Sequence, residues 1–419
     1  MTSKNVVYVS VQKPVSSSLF SQSQHLKTPY PVYIRLQWVD FANVVKFRVL
    51  SLSYFEKLLQ EPYPGVVINN NPITDLVNTD LFSILAAVKQ REAKTEFGID
   101  YLVGFETEFM LLQSTEPLVA AGHHRSSAFR ALLTGTVVTT VMQKIADSLR
   151  SSGVELMSYH AKQGPGQYSV STVPLAPLEA VDALVHTHET IRNIASKHGL
   201  IASFAPRLFP ESAGNGLHAH ISVHSTQEGN KHPDKLSQYE TSFLAGILDH
   251  LPGLITLTLP ISPSYRRMRG RIRSISTFVC WGVETRGAPV GVKDIGSPSS
   301  RRFEFRALDC TANPYIALAG VLIAGYTGIK SGQDLTIQDL GCIDAAELDE
   351  YTREALDANR SLPLSWREAR SVFIQDRVLQ SLLGQEFVTE YMRANMVFPF
   401  SFFFFWQAIW TDLNCLLSM

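Results

Sequence analysis

Hydrophobic and polar positions along the chain fall into strand-period and helix-period blocks. The most informative block is Leu102 to Leu112, LVGFETEFMLL. β-Branched and aromatic residues alternate there, with Gly104 ahead of the central part. Side chains two apart on a strand share a face. Phe105, Thr107 and Phe109 therefore point one way, and Glu106 and Glu108 the other. Two neighbouring carboxylates in an apolar strand are costly to bury unless positive charge sits between them. A hard divalent cation such as Mg²⁺ or Mn²⁺ supplies that charge; a half-exposed strand with its polar face in water is the alternative. Two later segments repeat the device. GNGLHAHISV, Gly214 to Val223, turns His218 and His220 away from Leu217, Ala219 and Ile221. RRFEFRALD, Arg301 to Asp309, sets Arg302, Glu304 and Arg306 opposite Phe303 and Phe305. Three such strands are expected to be neighbours lining one pocket. A Glu pair, a His and a third Glu would hold metal there, beside arginines that clamp phosphate or carboxylate.

The rest of the pattern supplies a frame for that pocket. Strands are expected at Val32–Val39, Val44–Leu52, Val154–Tyr159 and Leu200–Pro206, and Trp281–Val292 with Arg302–Leu308 is expected to carry the pocket face. Helical periodicity covers Phe82–Phe97, Ala128–Ser151, Leu178–His198 and Leu236–Leu251, with Gly153 and Gly199 as stops. Ala312–Ile329 is apolar and rich in small residues, which predicts a buried helix. The stretch from there to about Met396 reads as helical and polar enough for a surface layer. Pro62, Pro64 and Asn69–Asn71 mark a loop, His123–Ser127 suggests another, and Gly164-Pro165-Gly166 marks a turn. The two N-terminal strands form a small sheet module.

Composition narrows the class. With 419 residues, 45% hydrophobic and 18% charged, the chain can build a substantial core in one large or two domains. A formal net charge of −1 gives no general affinity for nucleic acid. The local exception is Tyr265–Arg273, YRRMRGRIR, which alone fits either a nucleic-acid patch or a solvated loop. Four scattered cysteines without a CxxC argue for a reducing compartment and against a zinc or disulfide scaffold. The N-terminus lacks the apolar core of a signal peptide. No uninterrupted apolar run reaches the roughly 20 residues of a membrane span, so a cytoplasmic protein without membrane association is expected. The tail, Val397 to Met419, is aromatic on every side. It reads as a docked hydrophobic end or a misassigned gene end, the second being favoured because nothing earlier prepares a site for so many Phe.

With these motifs in view, the chain resembles the glutamine synthetase family, including its γ-glutamyl ligase branch. GFETEF (Gly104–Phe109), GPGQY (Gly164–Tyr168), Ala180–Pro206, GNGLHAHIS (Gly214–Ser222), SYRRM (Ser264–Met268), WGVETR (Trp281–Arg286) and RRFEFRALDCTANPY (Arg301–Tyr315) carry the resemblance in order. It implies an α+β fold, with an N-terminal β-grasp domain packed on a catalytic domain built on a curved antiparallel sheet flanked by helices. The implied division is a flexible lead at 1–30, a β-grasp-like domain at 31–95, a catalytic domain at 96–396 and an atypical tail at 397–419. It also implies ring-shaped homo-oligomers with active sites between subunits. The implied chemistry is ATP-dependent activation of the glutamate γ-carboxylate, followed by attack of ammonia or an amine on the acyl phosphate, with Mg²⁺ or Mn²⁺ neutralising the phosphates. By position, Glu106, His218 and Glu304 match ligands of the metal next to the ATP phosphates, and Glu108 one ligand of a second metal. His220 and Ser222 match the nucleotide side, Gly214 the glutamate-loop glycine, and Arg267 and Arg306 substrate arginines. Arg286 matches a phosphate-facing arginine and Asp40 an ammonium-site aspartate that reaches into the next subunit. The basic run then becomes an anionic-substrate loop.

The departures cluster on the glutamate and second-metal side. Lys162 and Ser169 stand where the family pattern has metal-binding Glu residues, Gly291 stands where an arginine is expected, and Thr285 replaces an Asn. Arg-Ile-Arg follows Arg267 in place of the usual acid or aromatic residue, and the segment from Gln60 to Leu81 is short for a full β-grasp module. A protonated lysine cannot ligate metal. Three readings stay open: a one-metal ligase in which Lys162 supplies the missing charge, a ligase for a different acid or amine, and a pseudoenzyme that keeps the fold and nucleotide binding.

Overall fold

In the computed structural model, strand β3 (Ile99–Thr115) is the spine of the molecule. The residues described are 33–51 except 41 and 42; positions 53, 54 and 57; 90–122; and 135–406 except 213, 228–231, 233–234 and 270–274. The expected lead at 1–30, the loop at Pro62–Asn71, the start of the Phe82–Phe97 helix, the loop at His123–Ser127 and residues 407–419 of the tail lie outside them. Residues 90–97 are helical and lead straight into β3.

One nine-stranded sheet is built around β3. Its order is β5 (Leu156–Ala161), β6 (Gln167–Thr172), β3, β8 (Leu217–Ser225), β11 (Arg302–Phe305), β10 (Val290–Lys293) and β9 (Trp281–Val283). β4 (Leu118–Ala120) and β7 (Ile201–Ser203) pair with the far end of β3. A separate hairpin is formed by β1 (Tyr33–Val39) and β2 (Val45–Ser51). The three strands singled out from their alternation are indeed consecutive neighbours, β3–β8–β11.

Two expected segments are corrected. Trp281–Val292 is not one continuous strand: Glu284 takes a left-handed φ of 53°, and β9 and β10 run parallel to one another on either side of a tight loop. The sheet is therefore mixed rather than wholly antiparallel. Only Ile201–Ser203 of Leu200–Pro206 pairs, opposite Met110–Leu112; beyond Ser203 the backbone leaves the sheet.

Four longer helices cover the sheet: α1 (Val137–Ser151), α2 (Pro177–Lys197), α3 (Gln238–Thr258) and α4 (Pro314–Ser331). Thr136 caps α1, and Ser237 with Glu240 forms a reciprocal capping box on α3. α3 and α4 cross with their backbones touching. A Cβ on Gly328 would lie 2.0 Å from the Ser242 carbonyl oxygen, and one on Gly246 would lie 2.4 Å from that of Ala324. This close approach is why the Ala312–Ile329 stretch is so rich in small residues.

α3 runs seven residues past its expected end at Leu251, straight through Pro252. Proline removes the N–H that would bond the carbonyl four residues back, here Leu248. Arg360 donates to that Leu248 oxygen and so satisfies the acceptor that the proline leaves open. His250 adds a 2.8 Å contact to Asp376.

The C-terminal region is not a polar surface layer. Its helices, Trp366–Gln375, Arg377–Leu383 and Gln385–Trp406, bury Phe373, Leu379, Leu383, Phe387 and Tyr391. The Tyr391 hydroxyl donates to Thr256 O at 2.8 Å, and Asn395 donates to Pro260 O at 2.9 Å. Most of their charged residues lie on the outer faces, while Gln380 and Asn395 are buried and bond backbone carbonyls. No helix among the described residues is long and apolar enough to cross a membrane.

Beneath the site, His188 on α2 is buried. It shares a 3.3 Å hydrogen bond with Thr107 Oγ1 and packs 4.7 Å from the Phe204 ring. Burial, aided by the charge of Arg192, pushes its pKa down from 6.5 to about 3. The unfolded chain therefore binds a proton that the fold refuses between those values. Stability is expected to fall as pH drops from 6.5 toward 3, by up to about 1.4 kcal/mol per pH unit from this residue. Urea unfolding at pH 5 and pH 7 checks this: His188→Gln should flatten the acid limb, and an unchanged slope would remove His188 as its source.

Candidate active site

The cross-strand register assembles the charged face. Glu106 on β3 lies opposite His218 on β8, and His220 on β8 lies opposite Glu304 on β11. Directly paired residues share a face, and diagonal neighbours come within reach of one another. His218 Nδ1 consequently sits 3.1 Å from Glu106 Oε2 and 3.1 Å from Glu304 Oε1. One ring nitrogen faces two carboxylates, and a single proton cannot serve both fully. Glu106, His218 and Glu304 can each offer a ligand atom within 4.8 Å of the others, and they are the one such group among the described residues. The two carboxylates suit Mg²⁺ or Mn²⁺, and the imidazole adds a nitrogen ligand common to several divalent metals.

Glu108 is committed elsewhere. Its Oε2 accepts the Gly216 N–H at 2.7 Å, and its Oε1 faces Lys162 Nζ at 3.1 Å. The same ammonium lies 2.7 Å from Glu106 Oε1. Lys162 thus sits between the two carboxylates of β3 on the side away from His218. Burial alone would raise the Glu106 pKa, but the hydrogen bond and charge of His218, then Lys162, hold it well below the carboxylate range. For Glu304 burial is likewise outweighed, chiefly by His218 and then Arg306. Burial works against the Lys162 ammonium, yet Glu108 and Glu106 raise its pKa on balance. Ser169, across from Glu108, turns its hydroxyl to the His160 ring at 3.3 Å.

A glutamine ties this corner together. Lys162 N donates to Gln167 O at 2.8 Å and closes the Gly164–Gly166 turn. The Gln167 side chain accepts from Gly164 N at 2.9 Å and donates to Gly214 O at 3.1 Å and Asn215 Oδ1 at 3.0 Å. Gly214 must be glycine, since a Cβ there would fall 2.0 Å from Pro206 O. Gly216 is crowded by side chains instead, with His218 Nε2 at 2.7 Å and Arg267 Nη2 at 2.8 Å from its would-be Cβ.

The other residues singled out in the sequence occupy varied places. Arg306 Nη1 is 2.6 Å from Glu304 Oε1, within the cluster. His220 follows on the same face of β8; burial pushes its pKa down to about 4, and its Nδ1 has no hydrogen-bond partner. Ser222 Oγ bonds His224 at 2.8 Å. Arg267 is sealed inside, donating to Leu308 O at 3.0 Å, with Asp309 at 3.9 Å. Arg286 is exposed on the β9–β10 loop. Asp40 is buried in its own hairpin, where it accepts the Val44 N–H at 2.9 Å and pairs with Lys46 at 3.2 Å. Its carbonyl accepts from Asn313 at 2.9 Å. Two residues escaped sequence reasoning. Lys293 sits 3.3 Å from Glu304 Oε2, and His160 lies beside Ser169. The period of VGVK, which puts Lys293 on the face of Gly291, was a usable signal for the first.

The family model for "Glutamine synthetase, catalytic domain" matches residues 83–397, and the chain belongs to this family. It is 34% identical over 334 residues to the protein fluG of Emericella nidulans, covering 78% of this chain and 36% of that protein. It is also 34% identical over 248 residues to the γ-glutamylpolyamine synthetase GlnA3 of Streptomyces coelicolor, covering 57% of this chain and 52% of that protein. The chain thus spans only about a third to a half of these two relatives' length. A cryo-EM structure of Plasmodium falciparum glutamine synthetase shares the fold with a TM-score of 0.71 at 16% identity, covering 96% of this chain and 98% of that one.

Removing the ammonium should expose its role. Lys162→Met leaves Glu106 with His218 and Glu108 with the Gly216 N–H as their remaining partners, and is expected to lower metal-free stability by about 1–3 kcal/mol, discounted for partial exposure. Added Mn²⁺ should then stabilise the variant more than the wild type. Urea melts with and without Mn²⁺ measure both; equal Mn²⁺ responses would show that Lys162 does not occupy a cation position.

Proposed function

We propose that this chain is an ATP-dependent acid–amine ligase that activates the γ-carboxylate of glutamate and transfers it to ammonia or an amine. It runs with one divalent metal, Mg²⁺ or Mn²⁺, and one built-in cation. The observation that carries this reading is the convergence of Glu106, His218 and Glu304 beside the Lys162 ammonium. The metal would be held by those three residues and would neutralise the nucleotide phosphates. Lys162 supplies fixed positive charge where the family pattern has further metal ligands; preorganised charge of this kind stabilises developing negative charge without reorganisation. Arg306 and Arg286 are assigned to the anionic substrate and phosphates, Gly214 and Arg267 to the glutamate loop, His220 and Ser222 to the nucleotide side, and Asp40 to the amine side. The names of its relatives, glutamine synthetase and γ-glutamylpolyamine synthetase, support the ligase class and leave the amine open. Residues 31–95 would serve as a shortened β-grasp module in a cytoplasmic ring-shaped homo-oligomer.

The direct test is ATP- and metal-dependent γ-glutamyl hydroxamate formation from glutamate and hydroxylamine. Product is expected from the wild type, with a loss of at least about a hundredfold in Glu304→Ala. A folded chain that binds ATP and makes no hydroxamate would instead favour the pseudoenzyme reading, for which the loss of carboxylates at 162 and 169 is the supporting observation. Metal stoichiometry gives an independent check. Mn²⁺ titration followed by electron paramagnetic resonance should show one tight site per chain, and the double variant Lys162→Glu/Ser169→Glu should gain a second. Two sites in the wild type would end the one-metal assignment.

A further inference from the structure

The face of β10 that looks onto the cluster has no side chain at Gly291, directly opposite Glu304. Two residues on, Lys293 bends back over that gap. A Cβ built on Gly291 would lie 3.5 Å from the Lys293 Cε, 3.5 Å from Glu304 Oε2 and 3.2 Å from Thr285 Cγ2. The lysine stem thus fills the space that a larger residue at 291 would enter. The Lys293 side chain is only 14% exposed, and its Nζ donates to Thr285 O at 2.7 Å.

Several cationic groups converge on one carboxylate at this point. Glu304 alone faces Arg306 at 2.6 Å, His218 at 3.1 Å and Lys293 at 3.3 Å. The next acid near Lys293, Glu284, is 3.8 Å away and more than half exposed. Glu304 Oε2, the atom facing Lys293, closes no hydrogen bond. Glu304 is thus shared between two permanent cations and an imidazole that also serves Glu106. A metal that took Glu304 would leave Arg306 and Lys293 without that partner, and the anion that arrives with a divalent metal in a ligase of this class is a polyphosphate.

We propose that Lys293 contacts the nucleotide phosphates, carrying from one turn of strand further along the positive charge that the family pattern puts at position 291. The assignment rests on the ligase reading above. Lysine is suited to the task as a point charge on a flexible stem. It holds Glu304 Oε2 and Thr285 O while no phosphate is present, and it exchanges the carboxylate for phosphate oxygen when nucleotide binds.

The test compares binding of Mn²⁺ alone with binding of Mn²⁺–ATP to the full chain by isothermal titration calorimetry. Lys293→Met is expected to weaken Mn²⁺–ATP by about 10- to 100-fold, the range for loss of a hydrogen bond to a charged group. Mn²⁺ alone should bind at least as tightly as before, because a competing cation has left Glu304. Lys293→Arg should stay close to the wild type. A merely structural lysine predicts a different pattern, with metal and nucleotide weakened together and no rescue by arginine. That pattern overturns the assignment, as does unchanged Mn²⁺–ATP affinity in Lys293→Met, or a wild type that binds no nucleotide. Hydroxamate formation is scored separately. Lys293-dependent nucleotide binding in a chain that makes no product would sink the ligase reading and leave the phosphate contact standing.

Discussion

A single lysine ammonium between two glutamates is the constraint on which the site depends. Glu106 and Glu108 stand on one face of a central strand with little water to screen them. Like charges held this close repel by on the order of a few kcal/mol at an effective dielectric of about 20. Lys162 turns that repulsion into attraction on both sides and frees the far oxygen of Glu106 to face His218. The result is an acidic cradle that is already half neutralised before any ion arrives. A bound metal can dissociate and be replaced, whereas a side chain cannot. Charge on this side of the site is therefore constant rather than set by metal supply, and it comes without the coordination geometry that a metal would impose.

That arrangement is held from two directions. Below it, the Gly164–Gly166 turn fixes the backbone of Lys162, and Gln167 connects the turn to Gly214 and Asn215. Above it, the Gly216 N–H holds the far oxygen of Glu108. The lysine, the carboxylate and the glycine loop close a ring of contacts in which each member orients the next. Networks of this kind make the effects of single changes non-additive. Gly214 is needed because the chain passes so close to Pro206 O that no Cβ fits, and Gly216 is crowded by the His218 and Arg267 side chains.

Period-two alternation made the clustering of Glu106, His218 and Glu304 legible from the chain alone: in a strand, spacing fixes the face, and three strands with the same device proved to be neighbours. Lys162 was legible as a departure from a pattern, though its seat between the two carboxylates needed the hairpin geometry. Other features depend on contacts that spacing does not encode. α3 passes through Pro252 because Arg360, far away in sequence, supplies the missing donor. The C-terminal helices hide a buried face behind an average polarity. Arg267 is buried and donates to the backbone of Leu308, a contact that spacing along the chain does not encode. Lys293 was overlooked because its side chain works back over its own strand, where a residue-by-residue comparison sees only a missing arginine.

The short connection between β9 and β10 carries a consequence of its own. Parallel neighbours are ordinarily joined by a long crossover, yet here the chain returns within residues 284–289. It does so through a left-handed Glu284, with the Thr285 hydroxyl accepting the N–H groups of Gly287 and Ala288, Ser276 donating to Gly287 O, and Lys293 donating to Thr285 O. The backbone beneath Arg286 has thus surrendered its conformational freedom during folding. An anion that meets this arginine has only the side chain left to order, so most of the entropic penalty of forming the contact was met before the ligand arrived.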